Sequence, residues 1–328
     1  MALVNVYALG GTIASVPGDG AAAAPRLTAD ELVAAVPALQ PVAELRATSF
    51  RQLPSPELTL ADLGALVEQA RADVSAGAAG VVATQGTDTL EESAFVVDLL
   101  WDLDAPFVLT GAMRNPSLAG PDGPANLLAA VRVAASPLAR GLGGVVVFND
   151  EIHAGRFVRK THATSPATFR SWAGGPLGWV AEDRVRVASR PERPRVEGLP
   201  PLSSFGGAPV ALVRVSMDDD GRLLGAVQGL GYRGLVVEGT GGGHVPKAWA
   251  EPLGRLAASL PVVLASRTGA GEVLRSTYGF VGSEIDLLDR GLIPAGALDG
   301  TKARLLLSLL LAGGASREGI AAAFERVG

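Results

Sequence analysis

Two glycine-rich turns carry the side chains of this sequence that are best suited to catalysis. The first, Gly10-Gly11-Thr12-Ile13-Ala14, follows an apolar run at residues 2–9. The second, Gln85-Gly86-Thr87-Asp88-Thr89, follows an apolar run at residues 80–84. Both runs are predicted to be buried strands, and open α/β sheets bind their ligands where the strands end. Two hydroxyls and a carboxylate at such positions indicate threonine chemistry rather than phosphate binding.

Each of these side chains also has an ordinary structural interpretation. Thr12 can be a helix N-cap or turn residue instead of a nucleophile. Asp88 can bind the ammonium group of a substrate, or it can simply stabilise the start of a helix. Lys160 is one of only three lysines, against 25 arginines. Because lysine can lose its proton where arginine cannot, Lys160 suits base chemistry, but a solvated surface lysine is the more usual interpretation.

Other classes of site lack the residues that they need. The chain has no cysteine, which removes disulfides, thiolate metal sites and Cys nucleophiles. Its three histidines have no metal-ligand spacing among themselves, so no metal site is predicted. The segment at residues 239–244 ends in His244 where a dinucleotide fingerprint requires its third glycine. Neither a P-loop nor a G-x-S-x-G elbow is present.

The composition is that of an ordinary globular protein. Of the 328 residues, 48% are hydrophobic and 19% charged, with a net charge of -5, so neither nucleic acid nor a membrane is an expected partner. No apolar stretch reaches the roughly 20 residues that span a bilayer. Met1 leads directly into a predicted strand without a signal-peptide pattern, which predicts a cytoplasmic location.

Alternating strand and helix patterns predict an α/β fold of two domains. The larger N-terminal domain, residues 1–190, is expected to hold a mostly parallel sheet flanked by helices. A proline-rich linker at residues 191–209 precedes a smaller C-terminal α/β domain at residues 210–328. Residues 16–25 are predicted to be a mobile loop. The further predicted strands are residues 106–110, 143–148, 210–215, 235–238 and 262–266.

The predicted helices lie between these strands. Thr89 with Glu92 has the spacing of a capping box at the start of one of them. The predicted helices start near residue 28 and then cover residues 59–76, 89–101, 123–135, 223–229, 246–259, 301–312 and 316–326.

Several short motifs share their order and spacing with one known family. They are Leu9-Gly-Gly-Thr12-Ile-Ala14, Thr84-Gln-Gly-Thr87-Asp88-Thr-Leu-Glu-Glu92, Thr110-Gly-Ala-Met-Arg114, Asp122-Gly-Pro-Ala-Asn126, Phe148-Asn-Asp150, Gly155-Arg156, Lys160-Thr161, Tyr278-Gly-Phe and Lys302-Ala-Arg304. In these motifs the chain resembles the bacterial-type L-asparaginases over essentially its whole length. The resemblance implies two α/β domains and hydrolysis of L-asparagine to L-aspartate and ammonia, without a cofactor and with weaker action on L-glutamine. It also implies a homotetramer of intimate dimers, in which a neighbouring subunit's small domain completes each site.

The resemblance also implies roles for individual residues. Thr12 would be the nucleophile, while Thr87, Asp88 and Lys160 would form a second catalytic group. Asp88 would bind the substrate's α-ammonium and Ser55 its α-carboxylate, and Glu284 falls where the family has an intersubunit carboxylate. Backbone N–H groups around Gly11, Gly86 and Ala112 would stabilise the oxyanion of acyl transfer.

The order of events in such a site stays open. Lys160 would pass a proton through Thr87 to the leaving ammonia or from the incoming water, while Thr12 forms an acyl-enzyme. Alternatively, Thr87 would attack and Thr12 would assist. The sequence does not choose between these two mechanisms.

The chain departs from the family at three places. The family's lid carries a tyrosine that activates the first threonine, but residues 13–31 contain none. Pro56 stands where many members have Gln or Glu for the substrate amine, so Glu57 is a candidate substitute. His244 stands where relatives often have Asn, and it would either reach the neighbour's site or cap the following helix.

Two other functions compete with hydrolysis of free asparagine. The first is an ammonia-releasing subunit of a tRNA-dependent amidotransferase, although such subunits usually carry an extra N-terminal domain. The second is a catalytically impaired relative that binds an amino acid, for which the missing lid tyrosine is the support. The set of Thr12, Thr87, Asp88 and Lys160 argues against a pure binding protein, because binding alone needs no lysine base.

Overall fold

An eight-stranded sheet organises the first part of the chain. The computed structural model describes residues 1–17 and 23–328, which divide into two units, Met1–Arg193 and Pro194–Gly328. The helices of the first unit are α1 Ala29–Ala34, α2 Leu60–Ser75, α3 Leu90–Leu100 and α4 Gly123–Ala135. Its strands are β1 Leu3–Gly10, β2 Ser15–Pro17, β3 Ala23–Pro25, β4 Glu44–Leu53, β5 Gly80–Thr84, β6 Phe107–Thr110, β7 Gly144–Phe148, β8 Glu151–Ala154, β9 Val158–Lys160, β10 Phe169–Ser171, β11 Gly178–Ala181 and β12 Arg184–Val187.

The large sheet has the strand order β12-β11-β8-β7-β6-β5-β1-β4. The five strands from β7 to β4 are parallel, and β8, β11 and β12 extend the sheet antiparallel. The direction changes at Asn149 and Asp150, which both have positive φ angles of 49° and 63°. A two-residue turn with this backbone matches the twist of a hairpin, and Asn and Asp tolerate it better than most residues. The prediction of a mostly parallel sheet flanked by helices is confirmed.

Strand β1 lies between β4 and β5, so it marks the point where the order of the parallel strands reverses. The chain moves to one side of β1 to form β4 and then crosses to its other side to form β5. At such a reversal the connections leave in opposite directions and open a crevice at the carboxyl ends of the two strands. The crevice is therefore expected beside Gly10 and Thr84, where the two threonine turns begin.

A four-stranded parallel sheet forms the centre of the second unit. Its strands pair in the order β13 Val210–Arg214, β14 Gly234–Gly239, β15 Val262–Ser266 and β16 Ile293–Pro294. Buried aliphatic and aromatic side chains, including Trp249 and Leu253, pack between this sheet and its helices. The helices are α5 Lys247–Ser259, α6 Glu284–Asp289, α7 Gly300–Ala312 and α8 Arg317–Val327. Among the described residues of the chain, no helix is both long enough and apolar enough to cross a bilayer.

Three local predictions were wrong. Residues 223–229 do not form an α-helix; a 3-10 turn covers Arg222–Ala226 instead. Thr89 does not form a capping box, because its hydroxyl donates to the carbonyl of Ser55 at 2.9 Å. The predicted loop at residues 16–25 begins and ends in the antiparallel pair β2–β3, where Val16 faces Ala24. Residues 18–22 of that segment lie outside the described residues.

The boundary between the units falls between Arg193 and Pro194. Arg193 belongs firmly to the first unit, since its guanidinium pairs with Asp98 at 2.9 Å and donates to the carbonyl of Trp101 at 2.5 Å. Residues 194–209 group with the second unit, where Phe205 and Ala208 are buried. Parts of the proline-rich segment therefore pack on the second unit.

Candidate functional site

Three turns meet backbone to backbone at the crevice beside β1. Gly11 has a φ of 82°, and a Cβ there would lie 2.0 Å from the backbone nitrogen of Gly86. A Cβ on Gly111, after β6, would lie 2.5 Å from the carbonyl oxygen of Gln85. Only glycine fits such contacts, because any side chain would overlap the neighbouring backbone. The glycines therefore bring the turns that carry Thr12, Thr87 and Ala112 into contact.

Thr12 begins the 3-10 turn Thr12–Ala14 and is partly exposed. The carbonyl of Gly11 accepts two hydrogen bonds, from the Ser15 hydroxyl at 2.8 Å and from the Ala14 backbone N–H at 3.0 Å. These two hydrogen bonds fix the conformation of the turn that carries Thr12. Within residues 1–17 and 23–328, the Thr12 hydroxyl itself makes no hydrogen bond. The structure thus presents Thr12 on a rigid turn with its hydroxyl unengaged by the described residues.

Lys160 joins the second threonine turn from strand β9. Its Nζ donates to Thr87 Oγ1 at 2.9 Å and pairs with Asp88 Oδ1 at 2.5 Å. Thr87 is buried, the Lys160 side chain is 14% exposed, and the Asp88 side chain is 68% exposed. The three groups therefore run from the interior to the solvent. This arrangement can hold a cation-binding carboxylate outside and a lysine–hydroxyl pair inside.

Glu91 positions Lys160 and was not identified from the sequence as a site residue. Its Oε2 accepts the backbone N–H of Lys160 at 2.6 Å, which ties strand β9 to the first turn of α3. The sequence placed Glu91 in the motif that follows Asp88, but a carboxylate near a helix start is ordinary. Residues 91 and 160 are 69 positions apart in the sequence, so this hydrogen bond is visible only in the folded structure.

Ser55 lies beside Gly86 in the short turn that follows β4. It is 3% exposed, and a Cβ on Gly86 would lie 2.8 Å from its Oγ. That oxygen is buried without a hydrogen-bond partner in the described part of the chain. A buried hydroxyl without a partner is costly, and such groups are often completed by a ligand. Glu57, in the same turn, is exposed to solvent.

The turn that carries Ala112 is held by side chains from the start of α4. Asp122 accepts the backbone N–H groups of Met113 at 3.0 Å and Arg114 at 2.8 Å. Asn126 donates to the carbonyl of Gly111 at 3.0 Å and accepts from the backbone N–H of Asn149 at 3.0 Å. Both residues lie in a motif shared with the family, but the motif alone gave them no role. The structure shows that they fix the third turn.

His244 and Glu284 form a pair within the second unit. His244 ends the glycine-rich turn after β14, and its Nε2 lies 3.1 Å from Glu284 Oε2. The other carboxylate oxygen accepts the backbone N–H groups of Thr277 at 2.8 Å and Tyr278 at 2.7 Å. Burial opposes the charged carboxylate, but these donors together hold the pKa of Glu284 below its usual value. Glu284 is fully buried, so it contacts His244 rather than solvent.

The candidate residues therefore fall into two groups. Those gathered in the first unit are Gly11, Thr12, Ser55, Gly86, Thr87, Asp88, Ala112 and Lys160, with Glu57 exposed in the Ser55 turn. Those in the second unit are His244 and Glu284. Chemically, the first group combines two hydroxyls, a lysine, an exposed carboxylate and converging backbone turns, which suits acyl transfer through a threonine ester.

Comparison with known proteins accounts for both units. The family model described as Asparaginase, N-terminal, matches residues 3–193, and that described as Glutaminase/Asparaginase C-terminal domain matches residues 209–324. A probable L-asparaginase of Deinococcus radiodurans is 39% identical, over 97% of this chain and 95% of that protein. An L-asparaginase of Bacillus licheniformis is 36% identical over 97% of each. The crystal structure of a probable cytoplasmic L-asparaginase from Campylobacter jejuni superposes with a TM-score of 0.88 at 29% identity, covering 99% of this chain and 100% of that one. From its sequence, its fold and the residues at its crevice, the chain belongs to the asparaginase family.

Proposed function

We propose that this protein hydrolyses the side-chain amide of L-asparagine to L-aspartate and ammonia, with weaker action on L-glutamine. Relatives that match it along nearly the whole chain are named L-asparaginases. The residues at the crevice supply what acyl transfer from an amide requires. An amide is a poor electrophile, so a covalent ester intermediate divides one difficult step into two easier ones.

Thr12 is the proposed nucleophile. Its Oγ1 attacks the amide carbon, and backbone N–H groups around Gly11, Gly86 and Ala112 stabilise the resulting oxyanion. The carbon–nitrogen bond then breaks and ammonia leaves. Water attacks the ester and releases aspartate. The partial exposure of Thr12 and the close contact between Gly11 and Gly86 support this assignment.

Lys160 and Thr87 are the proposed proton relay. The bond from Lys160 Nζ to Thr87 Oγ1 lets a proton pass from lysine to hydroxyl as the hydroxyl proton passes to the leaving nitrogen. The reverse transfer takes a proton from the incoming water. This single contact carries the proposal, because an amino-acid-binding protein has no use for a lysine held on a buried hydroxyl. Attack by Thr87 with assistance from Thr12 is the alternative mechanism.

The substrate's polar groups have matching partners. The exposed Asp88 carboxylate would bind the α-ammonium group while it remains paired with Lys160. The Ser55 hydroxyl would donate to the α-carboxylate, which would complete its hydrogen bonding. Glu57 is a further candidate for the amine. The burial of Glu284 favours a role in holding His244 over direct contact with substrate.

Assembly and location form part of the same proposal. We propose a homotetramer of intimate dimers, in which the second unit of one subunit brings His244 to the site of its neighbour. Exposed apolar side chains near His244, among them Tyr278 and Phe280, support an interface there. We also propose a cytoplasmic location, since the structurally similar Campylobacter protein is described as a probable cytoplasmic L-asparaginase.

The deciding experiment measures ammonia release by the purified protein from L-asparagine, L-glutamine and D-asparagine. Thr12→Ala and Lys160→Met are each expected to lower kcat about 1,000-fold or more while binding of L-aspartate persists. Lys247→Met is the matched control, because Lys247 is exposed at the start of α5 and should retain full activity. Trapping of an ester on a Thr12 peptide, seen by mass spectrometry, would distinguish attack by Thr12 from attack by Thr87.

Other results have clear meanings. Rapid turnover by Thr12→Ala would remove Thr12 as nucleophile. No ammonia from any free amino-acid amide, with asparagine still bound, would favour the impaired binding protein. Release only together with a tRNA-linked partner would favour the amidotransferase subunit.

A further inference from the structure

The pair of His244 and Glu284 combines a buried carboxylate with an imidazole, as a hydrolase triad does, but here the carboxylate holds Nε2 instead of Nδ1. Glu284 is fully buried, and its Oε1 is occupied by the backbone N–H groups of Thr277 and Tyr278. Its Oε2 is left to the imidazole at 3.1 Å. A buried carboxylate that holds one nitrogen of a histidine selects the tautomer and fixes the direction of the other nitrogen.

The pairing leaves the second ring nitrogen as the reactive one. An ionised Glu284 accepts a hydrogen bond from the Nε2–H of the imidazole, so neutral His244 carries its lone pair on Nδ1. In the described part of the chain, Nδ1 makes no hydrogen bond, and the side chain is 20% exposed. Tyr278 and Phe280 stand edge-on to the ring, with centroids 5.0 Å and 5.2 Å away. The ring is therefore packed on its sides and open at one edge.

The surroundings of His244 indicate that another chain covers it. Tyr278 and Phe280, which contact the ring, and the large apolar side chains of Leu274 and Val281 are 37% to 50% exposed. Leu274 continues this surface to the histidine turn, because its backbone N–H donates to the carbonyl of Gly242 at 2.9 Å. A rim of this kind around an oriented base fits an interface that delivers the base to a second copy.

The first unit has a nucleophile that calls for a base of this kind. The Thr12 hydroxyl makes no hydrogen bond to the described residues, and no tyrosine occurs in residues 13–31. Lys160 is already held on Thr87 and Asp88. A base brought by a second copy of the chain would act on a hydroxyl that the described residues leave unengaged.

We propose that the His244–Glu284 pair of one subunit is the general base for Thr12 of its neighbour, which rests on the proposed amidohydrolase function. Nδ1 takes the Thr12 proton as Oγ1 bonds to the amide carbon. The carbon–nitrogen bond breaks as the nitrogen takes a proton from Lys160 through Thr87, and ammonia leaves. Water then adds to the ester and gives its proton to Lys160 by the same relay. Finally, Thr12 regains its proton from His244 as the ester bond breaks.

The first test is chemical rescue: it asks whether imidazole, bound in the cavity that His244→Ala leaves, restores the lost activity. We expect kcat to fall about 100-fold or more, and added imidazole to restore a measurable part of it. Glu284→Gln should lower kcat with a smaller change in KM, because glutamine can still hydrogen-bond to the imidazole but lacks the negative charge of the carboxylate. Thr12→Ala and Lys160→Met are the matched controls, and imidazole should not rescue either of them.

The second test is complementation between subunits. Thr12→Ala and His244→Ala chains, inactive alone, are co-expressed so that they assemble together. Random assortment should place an intact Thr12 opposite an intact His244 in about a quarter of the sites. The matched pair, Thr12→Ala with Lys160→Met, should give no recovery, because those two residues belong to the same site of the same chain.

Three results would overturn the inference while leaving the proposed function intact. They are near-wild-type kcat in His244→Ala, a loss in that variant that imidazole does not restore, and activity of His244→Asn equal to wild type. If the wild-type protein releases no ammonia from asparagine, the proposed function fails, and the inference fails with it.

Discussion

Ser55 is a buried hydroxyl whose expected partner is the ligand. Because its Oγ has no hydrogen-bond partner in the described structure, it contributes little to folding. We expect Ser55→Ala to leave the free energy of unfolding unchanged or raise it by up to about 1 kcal/mol. The same change should raise KM for L-asparagine roughly tenfold, as loss of one hydrogen bond to a charged carboxylate implies. Urea unfolding and steady-state kinetics measure the two effects.

Ser308 supplies the matched control for Ser55. It is also buried, but its hydroxyl donates to the carbonyl of Ala208 at 2.6 Å. Ser308→Ala should lose about 1 kcal/mol of stability and keep its KM. If Ser55→Ala were the less stable of the two variants, Ser55 would be a structural residue.

His153 makes the stability of the protein depend on pH. It is buried with Nδ1 3.0 Å from Ser171 Oγ, and burial together with the charge of Arg170 lowers its pKa from 6.5 to about 4. Between these values the unfolded chain binds a proton that the folded protein does not. The free energy of unfolding therefore falls as the pH drops from about 6.5 to about 4, by about 3 kcal/mol at the acid end.

His153→Gln should flatten this dependence, and urea unfolding at pH 7, 5.5 and 4 measures it. An unchanged slope in His153→Gln would show that His153 is not the group responsible.

Two threonines that precede helices use their hydroxyls for different hydrogen bonds. Thr59 forms a capping box on α2: its hydroxyl accepts the backbone N–H of Asp62, and Asp62 accepts the backbone N–H of Thr59. Thr89 precedes α3 but donates its hydroxyl to the Ser55 carbonyl. The spacing of a capping box is present at both helices. The hydrogen-bond partner of Thr89 depends on the tertiary structure, which brings the Ser55 carbonyl close to its hydroxyl.

Thr59→Ala and Thr89→Ala should therefore differ in kind. Thr59→Ala is expected to lower the free energy of unfolding by about 1 kcal/mol with unchanged kinetics. Thr89→Ala releases the Ser55 turn and should raise KM for L-asparagine. Equal effects of the two changes on KM would contradict the positioning role of Thr89.

The elements that the sequence did not predict share a physical cause. Strand β4 runs for ten residues at the edge of the sheet with most of its side chains partly or fully exposed, so it lacks the apolar run that marks β1 and β5. Strands β8 to β12 are three or four residues long, and all of them except β11 contain charged side chains. Short or edge strands are defined by their neighbours, and a hydrophobic pattern read along the chain does not contain those neighbours.

At the scale of the whole molecule, the sequence predicted the α/β class and the two domains. These follow from buried strands that alternate with helices. It did not predict the tie between Glu91 and Lys160 or the burial of Glu284, because both depend on residues far apart in the chain. Ser55 and His244 entered through family resemblance, and the structure adds an unpartnered hydroxyl and an oriented imidazole.

The scarcity of lysine has a practical consequence for attaching the protein to supports or polymers. Of the three lysines, Lys302 is 2% exposed and pairs with Asp299, and Lys160 is held by Thr87 and Asp88. Lys247 is the lysine whose amine is left in solvent. Among the lysine side chains, amine-directed coupling should therefore take place at one defined residue, where a lysine-rich surface would give a mixture of conjugates.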